Sequence, residues 1–455
     1  MPGKKKGKGK KGKGKGKKGK KGKKKDKNSA LRGEPGAAVK SVLRVYDENC
    51  ARTASLPCVG LRRKLKASYE DNILLEKFLL EGYEDPPLDQ PPMMVEPLLD
   101  ALRSERYVFI KELSVWDVPL KHENVASVAL LLEKQVYPVR QLELLDCGIE
   151  SYPVTRLARS FPAHPFLSTI ILDYNEIGDD GCHGLCAGLS KNVLIQTVSL
   201  NFCGLEVESG RILAEMVANS AVCNLFLDGN DLECEGVMEL IKMVADTAER
   251  EAFERAEEVR MKAELEAEKE LEVPTCLLLS AAKNSRVRTA ISTTSSKSEG
   301  EDEGDEKGEG GSKSKKGKKG KKKKKGKKKK KEVEPPKVGP WLKKLHLAEN
   351  GLDAFGKAGN YAPVICMRLF RKLITNSNCL EELDLGDNHI GDLGGRELLQ
   401  ALLDRKEAKL PTLSLGVSPM MHQDTFTLLM KHSGSLKKKG KKKKGKGKGK
   451  KKKKK

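Results

Sequence analysis

The stretch LSTIILDYNEI, residues 167–177, decides the fold. Apolar residues occupy its first, fourth, sixth and eleventh positions, and Asn175 occupies the ninth. The alternation over Ile170–Leu172 is typical of a short β-strand with one face buried. An asparagine amide can hydrogen-bond the backbone where such a strand turns. The stretch therefore predicts a strand that ends in a side-chain-stabilised turn.

The same pattern returns along the chain, first at intervals of 27 to 29 residues and then again after a long interruption. A last, degenerate copy, LPTLSL, lies at 410–415, which gives about eight units. A weaker copy, IKELSVWDVPL, lies at 110–120. The other copies are VRQLELLDCGI (139–149), IQTVSLNFCGL (195–205), VCNLFLDGNDL (222–232), LKKLHLAENGL (342–352) and LEELDLGDNHI (380–390).

The rest of each unit predicts a helix that returns the chain to the start of the next strand. In the unit quoted first, the turn IGDDG at 177–181 is followed by Leu185 and Leu189, which have the spacing of one helix face. One strand and one helix cannot bury their apolar faces alone, whereas stacked copies bury a continuous core. We therefore predict a solenoid of repeats.

The period, the Leu-x-x-Leu-x-Leu-x-x-Asn/Cys core and the IGDDG turn resemble ribonuclease-inhibitor-type leucine-rich repeats. The resemblance covers roughly residues 108–245 and 340–432. It implies an α/β fold, a curved solenoid with a parallel sheet inside and helices outside, and protein ligands. Val118 and Ser418 replace the asparagine, as expected of capping units.

Lysine is concentrated in residues 1–27, 312–331 and 436–455, which together hold 46 Lys and one Asp. Since the whole chain has a formal net charge of +24, the remainder carries −21. The lysine blocks have almost no apolar side chains, so we predict that they are disordered. The chain is thus an acidic body with basic appendages.

The interruption of the repeats begins with residues 246–272, which are rich in Glu, Ala and Arg and predict a charged helix continuing the last repeat helix. Its exposed face is either simply solvated or a binding surface for a partner. Residues 273–284 predict a decayed repeat strand. We expect the two repeat blocks to form one continuous arc, because a three-repeat remainder would expose its core.

The region before the repeats predicts a cap over the open end of the solenoid, with one helix near Leu74–Leu80 and another over Pro97–Arg106. The predicted organisation is a Lys/Gly tail (1–28), a helical cap (29–107), a first repeat block (108–245), a charged helix (246–272), a degenerate strand followed by a disordered acidic and basic linker (273–339), a second repeat block (340–435) and a Lys tail (436–455).

A protein-binding surface is predicted on the concave face, where strand residues between the apolar ones point away from the core. Aromatic anchors within a polar rim suit a protein partner. The carboxylates argue against nucleic acid, which requires positive charge facing phosphate. The predicted partner-binding residues are Trp116, Asp117, Glu143, Leu145, Asp146, Ile171, Asp173, Tyr174, Phe202, Phe226, Asp228, Glu349, Asp384 and Asp387.

No arrangement of residues predicts catalysis, a metal or a cofactor. Cys182, His183 and Cys186 are close in sequence, but packing within a repeat helix explains the cysteines better than zinc, because no second ligand pair has the required spacing. Cys147 and Cys203 stand in asparagine positions and are predicted to be structural. No phosphate-loop motif follows a strand. Eleven scattered cysteines and the absence of a secretory or membrane-spanning stretch predict a reducing, intracellular setting.

Three functions follow as hypotheses. The preferred one is a non-catalytic scaffold of the ciliary or flagellar axoneme, because several axonemal subunits resemble this design of interrupted repeats and charged insertions. Its lysine runs, which lack aromatic residues for base stacking, would bind the acidic tails of tubulin. The alternative is a nuclear or nucleolar protein whose lysine runs bind RNA. A third, the Ran type of GTPase-activating protein, shares only the repeat.

Overall fold

The computed structural model describes residues 34–83, 91–190, 192–285, 337–357 and 359–436. The chain divides into two compact units. Unit 1 comprises the residues up to Ile149 together with Ala163–Leu167, and unit 2 comprises Glu150–Pro162 and the residues from Ser168 onward. In the long helix that ends at Ser285, side chains are described as far as residue 269.

The described part of unit 1 contains three parallel strands. They are adjacent in chain order, and Phe78, Leu113 and Leu142 occupy one register position across them, fully buried. The elements are α1 (Pro35–Thr53), α2 (Val59–Glu70), β1 (Lys77–Glu81), α3 (Glu96–Ser104), β2 (Glu112–Trp116), α4 (His122–Glu133) and β3 (Gln141–Leu145).

Strand β1 corrects the sequence interpretation. The helix predicted near Leu74–Leu80 is wrong, because Phe78 and Leu80 alternate into the core beside β2. The parallel sheet therefore begins one strand earlier than predicted. The helix predicted over Pro97–Arg106 is confirmed as α3. The boundary of the predicted cap at residue 107 stays a prediction.

The described part of unit 2 contains six further strands and the helices between them. Among the described residues of the whole chain, no helix has the combination of length and apolar composition that crossing a membrane requires. The elements are α5 (Ser151–Ala158), β4 (Thr169–Ile171), α6 (Gly178–Leu189), β5 (Thr197–Ser199), α7 (Val207–Ala218), β6 (Asn224–Phe226), α8 (Glu233–Ser285), β7 (Lys344–His346), α9 (Ala362–Asn376), β8 (Glu382–Leu385), α10 (Gly391–Glu407), β9 (Ser414–Val417) and α11 (Gln423–His432).

The strands of unit 2 confirm the predicted repeats. Strands β4 to β9 pair in parallel in chain order, as expected when each helix returns the chain to the start of the next strand. One buried apolar residue from each strand occupies the same register position: Ile170, Val198, Leu225, Leu345, Leu383 and Leu415.

The two repeat blocks meet between β6 and β7, where Leu225 pairs directly with Leu345. They therefore share one sheet in unit 2, as expected. The degenerate strand predicted at 273–284 is wrong, because those residues belong to α8. The neighbouring position on β6 is already occupied by β7, and extending an existing helix is easier than starting a new element. The predicted linker at 286–336 lies outside the described residues.

Helix α8 continues from a repeat helix, as predicted for residues 246–272, and its first half is fixed to the second repeat block. The Lys372 ammonium lies 2.8 Å from the Asp246 carboxylate and 2.6 Å from that of Glu249. Farther along, Arg255 donates to the carbonyl of Asn376 at 2.6 Å. These contacts hold α8 against α9.

Buried asparagines join successive repeats. The side chain of Asn388 donates to the carbonyls of Leu347 and Leu385 and accepts from the backbone N–H groups of Asn350 and Leu352. Asn230 makes the same four kinds of contact between the repeats that contain β5 and β6. Each amide thus satisfies backbone groups that the strand ends leave unpaired.

Cysteine replaces asparagine in two of these positions, as predicted. The Cys147 thiol donates to the carbonyl of Val115 at 3.5 Å, and the Cys203 thiol donates to that of Leu172 at 3.2 Å. Burial raises the pKa of both thiols to about 12, so they stay protonated and able to donate.

Asn388→Ala is expected to lower the free energy of unfolding by about 3 kcal/mol or more, because it leaves several buried backbone groups without partners. Denaturant unfolding followed by circular dichroism measures this loss. Asn219→Ala is the control, since Asn219 is exposed and its side chain donates one hydrogen bond, to the carbonyl of Glu215 at the end of α7. An equal effect of the two substitutions would contradict the structural role of the buried amide.

Candidate protein-binding face

The strands of unit 2 expose one face of the sheet. Side chains at alternate strand positions are buried, and those between them, such as Ile171, Phe226 and Asp384, are only half-buried. We call this side of β4–β9 the open face. Nine of the predicted partner-binding residues belong to unit 2 and lie on the open face or in the turns that follow its strands.

The turns after β4, β5, β7 and β8 each present a further side chain in a left-handed backbone conformation. Tyr174, Phe202, Glu349 and Asp387 have φ between 49° and 59°, and each directly precedes the buried Asn or Cys of its repeat. Such conformations are uncommon for residues other than glycine. Their recurrence shows that the hydrogen bonds of the buried amide or thiol fix the turn and hence the direction of the side chain before it.

An aromatic pair stands at one end of the open face. The rings of Tyr174 and Phe202 are stacked, with centroids 4.7 Å apart and an interplanar angle of 8°. The two residues are 52% and 39% exposed. Gly229 provides the space beside them, because a methyl group there would overlap the Phe202 ring. Two large apolar surfaces are thus held rigidly in contact with solvent.

Asp173 differs from its predicted neighbours. It is 8% exposed, and its carboxylate accepts hydrogen bonds from the backbone N–H and the side-chain amide of Asn201 at 3.0 and 3.1 Å. Asn201 in turn accepts from the N–H of Asp228 at 2.8 Å. The Asp173 carboxylate therefore holds two neighbouring repeats together.

His346 lies in the middle of the open face, between carboxylates of the adjacent strands. Its Nδ1 is 3.7 Å from Asp228 Oδ2, and its Nε2 is 3.5 Å from Glu382 Oε1. Its ring meets that of Phe226 edge to face at 4.7 Å. His346 was not among the predicted residues, although it occupies the same place between apolar residues as Phe226 and Asp384.

Glu382 is the best-paired carboxylate of this group. The Lys344 ammonium lies 2.5 Å from its Oε2. Burial alone raises the pKa of Glu382, but the hydrogen bond and charge of Lys344, with His346, outweigh burial and lower it. Glu382 is therefore ionised and paired at neutral pH.

Asp384 is in the opposite situation. Burial raises its pKa, and the nearby charges of Asp228 and Asp387 raise it further against the lowering effects of the Gly386 N–H and His346. The N–H of Gly386 donates to Asp384 Oδ1 at 3.0 Å, and Asp228 accepts from the N–H of Ala348 at 2.9 Å. This end of the face concentrates negative charge.

Unit 1 holds the five remaining predicted residues. Trp116, Glu143 and Leu145 are half-buried strand residues, and Glu143 accepts a hydrogen bond from the Ser114 hydroxyl at 2.9 Å. Asp117 and Asp146 are exposed and have φ of 52°, so they occupy the same left-handed turn position as Tyr174.

The cysteine pair of α6 packs in the interior. Cys182 and Cys186 are buried, with their sulfur atoms 3.9 Å apart, whereas His183 is exposed. Its hydrogen bond to Cys182, with burial, raises the pKa of the Cys186 thiol. In the described ranges no three potential ligands are grouped around a metal-sized site, and the ten cysteines whose side chains are described are free thiols.

Comparisons with known proteins agree with this architecture. A family model described as Leucine Rich repeat matches residues 163–186 and 376–399, one match in each predicted repeat block. These matches identify leucine-rich repeats in both blocks of the chain. Such repeats are typically non-catalytic modules that bind other proteins, so the coarse function is a protein-interaction scaffold.

The curated relatives are matched over short stretches. NACHT, LRR and PYD domains-containing protein 1a allele 1 of Rattus norvegicus is 34% identical over 80 residues, 18% of this chain and 7% of that protein. NACHT, LRR and PYD domains-containing protein 12 of Mus musculus is 30% identical over 128 residues, 28% of this chain and 12% of that protein. Because these matches span about a tenth of the relatives, they support the repeat and not a shared activity.

Asp384→Asn is expected to raise the thermal midpoint of unfolding at neutral pH. A carboxyl whose folded pKa is raised binds protons more tightly in the folded chain, so the parent loses stability as pH rises from the ordinary aspartate pKa of 3.8 through the raised value. The midpoints of variant and parent should therefore converge at about pH 3. Asp424→Asn, which changes an exposed aspartate of α11, is the control. A pH-independent gain would contradict the assignment.

Proposed function

We propose that this leucine-rich repeat protein is a non-catalytic scaffold that binds a protein partner on the open face of unit 2. In this proposal it is a structural subunit of the ciliary or flagellar axoneme, and its lysine runs contact acidic tubulin surfaces. The stacked, exposed Tyr174 and Phe202 pair carries the first part of the proposal. The second part is supported by the charge pattern of the sequence and by the resemblance to interrupted axonemal repeats.

The aromatic pair has the physical properties of a binding anchor. Aromatic side chains bury a large area on binding and have few rotatable bonds, so they lose little conformational entropy. Tyr174 and Phe202 already restrict each other by stacking at 4.7 Å, and the left-handed turns fix both backbones. Their ring faces are expected to take an apolar or cationic side chain of the partner.

The lysine runs favour an acidic polymer without sequence selection. Residues 1–27 contain 16 Lys and no aromatic residue, so they supply charge and no stacking surface. Flexible glutamate-rich protein tails and RNA both meet this requirement. The axonemal proposal requires that the lysine runs bind glutamate-rich protein tails. Binding to RNA instead would replace that proposal.

Phe202→Ala combined with Tyr174→Ala is expected to reduce recovery of bound partners about tenfold or more, because central aromatic anchors dominate binding free energy. Quantitative mass spectrometry after affinity purification from ciliated cells measures the recovery. Phe253→Ala is the matched control, since Phe253 is 64% exposed on α8, away from the open face. Partners retained by the double variant and lost by the control would refute the proposed surface.

Microtubule co-sedimentation tests the tubulin contact. Binding by the full chain is expected to fall steeply with salt and to be lost when the acidic tails of tubulin are removed by limited proteolysis. Replacement of the lysines in the three runs by glutamine should have the same effect. Undiminished binding to tail-free microtubules, or nuclear location of the tagged protein with tighter binding to RNA, would reject the axonemal role.

A further inference from the structure

The chain leaves the described fold at the open face. After α11, the backbone returns to the sheet, where Gly434 donates to the carbonyl of Leu413 at 2.8 Å and its own carbonyl accepts from Leu415 at 3.2 Å. Gly434 thus lies beside β9 in the position where a further parallel strand would begin. The next residues continue from the edge of the sheet.

Leu436, the last described residue, lies over the open face. A methyl group on Gly416 would overlap both Leu436 and the Asp384 carboxylate, so all three are in immediate proximity. Gly416 is also the register partner of Asp384 on the neighbouring strand. The chain therefore passes the acidic end of the open face as it leaves the fold.

Small residues make room for another segment at this end. Ala348 and Gly386 follow β7 and β8, and Gly416 lies within β9, so the sheet carries little side-chain bulk there. Four carboxylates lie around this part of the sheet, where the side chains are small. They belong to Asp228, Glu349, Asp384 and Asp387.

The negative charge at this end is incompletely compensated. Lys344 is paired with Glu382, and His346 lies between Glu382 and Asp228. Across the described ranges, no lysine or arginine forms an ion pair with Asp384, Asp387 or Glu349. Mutual repulsion with Asp228 and Asp387 contributes to the raised pKa of Asp384. A cationic segment would relieve this repulsion.

Residues 437–455 follow Leu436 directly and contain 15 Lys. We propose that this segment binds in cis across the acidic end of the open face, between β9 and β6. The distance across those strands is about 14 Å at about 4.8 Å per strand spacing, whereas 19 extended residues span about 60 Å. Because the segment is tethered at the face, its effective concentration there is millimolar or higher.

The exit point favours this lysine run over the others. It starts at the open face, whereas the run at 312–331 is separated by five residues from Lys337, which is paired with Glu251 of α8 and not with the open face. The run at 1–27 precedes α1 of unit 1. The contact would cover the acidic end and leave the aromatic pair at the opposite end of the six-stranded face. It does not depend on the proposed partner or on tubulin, and either proposal can fail alone.

Zero-length carbodiimide cross-linking of the full chain tests the contact, since this reagent joins lysines to carboxylates that already touch. Mass spectrometry after digestion with a protease that does not cleave at lysine locates the links. Links from residues 437–455 are expected to concentrate on Asp228, Glu349, Asp384 and Asp387. A mixture of unlabelled and ¹⁵N-labelled chains should give links within chains only, and about 1 M salt should abolish them.

The double variant Asp384→Asn, Asp387→Asn should reduce links to the unchanged Asp228 and Glu349 about threefold or more, because two attractive charges are lost. The matched variant Glu254→Gln, Glu257→Gln removes two exposed carboxylates from α8 and should leave those links unchanged. The proposal is overturned by links spread evenly over all acidic surfaces, by links mainly between chains, or by links to the same carboxylates from residues 1–27 or 312–331.

Discussion

The hydrogen bonds of the buried Asn and Cys side chains are the constraint on which the rest of unit 2 depends. Each repeat must turn sharply after a strand of three or four residues, and that turn leaves backbone groups without strand partners. Asn388 satisfies five of them, two donors and three acceptors, in its own repeat and the one before. Because these bonds join the backbones of two successive repeats, they fix the register of the neighbouring strands.

The same constraint directs the chemistry of the open face. The residue just before each buried Asn or Cys adopts a left-handed conformation, and its side chain is fixed by the turn. In one repeat that residue is Tyr174 and in the next it is Phe202, so two aromatic rings stack across neighbouring turns. In later repeats the position holds Glu349 and Asp387, and the face becomes acidic. One backbone geometry thus supports two surfaces of different character.

Sequence predicted the repeats well because each unit contains its own core residues and its own turn amide. It failed where the deciding neighbour lies in another repeat. Strand β1 lacks the asparagine signature, and only its pairing with β2 identifies it. Asp173 looks exposed until Asn201 covers it, and His346 gains importance from Asp228 and Glu382 on either side. The residues at 273–284 resembled a strand, but β7 already pairs with β6.

Helix α8 sets a spacing. It is held against α9 as far as Arg255, and the 30 residues from there to Ser285 extend about 45 Å along a helix axis. The acidic and basic stretch that follows starts at the far end of this helix and rejoins the fold at Lys337, whose ammonium lies 2.8 Å from the Glu251 carboxylate on the held half of α8. The stretch between Ser285 and Lys337 must therefore span the free length of α8, so whatever its charged residues bind is kept alongside that helix.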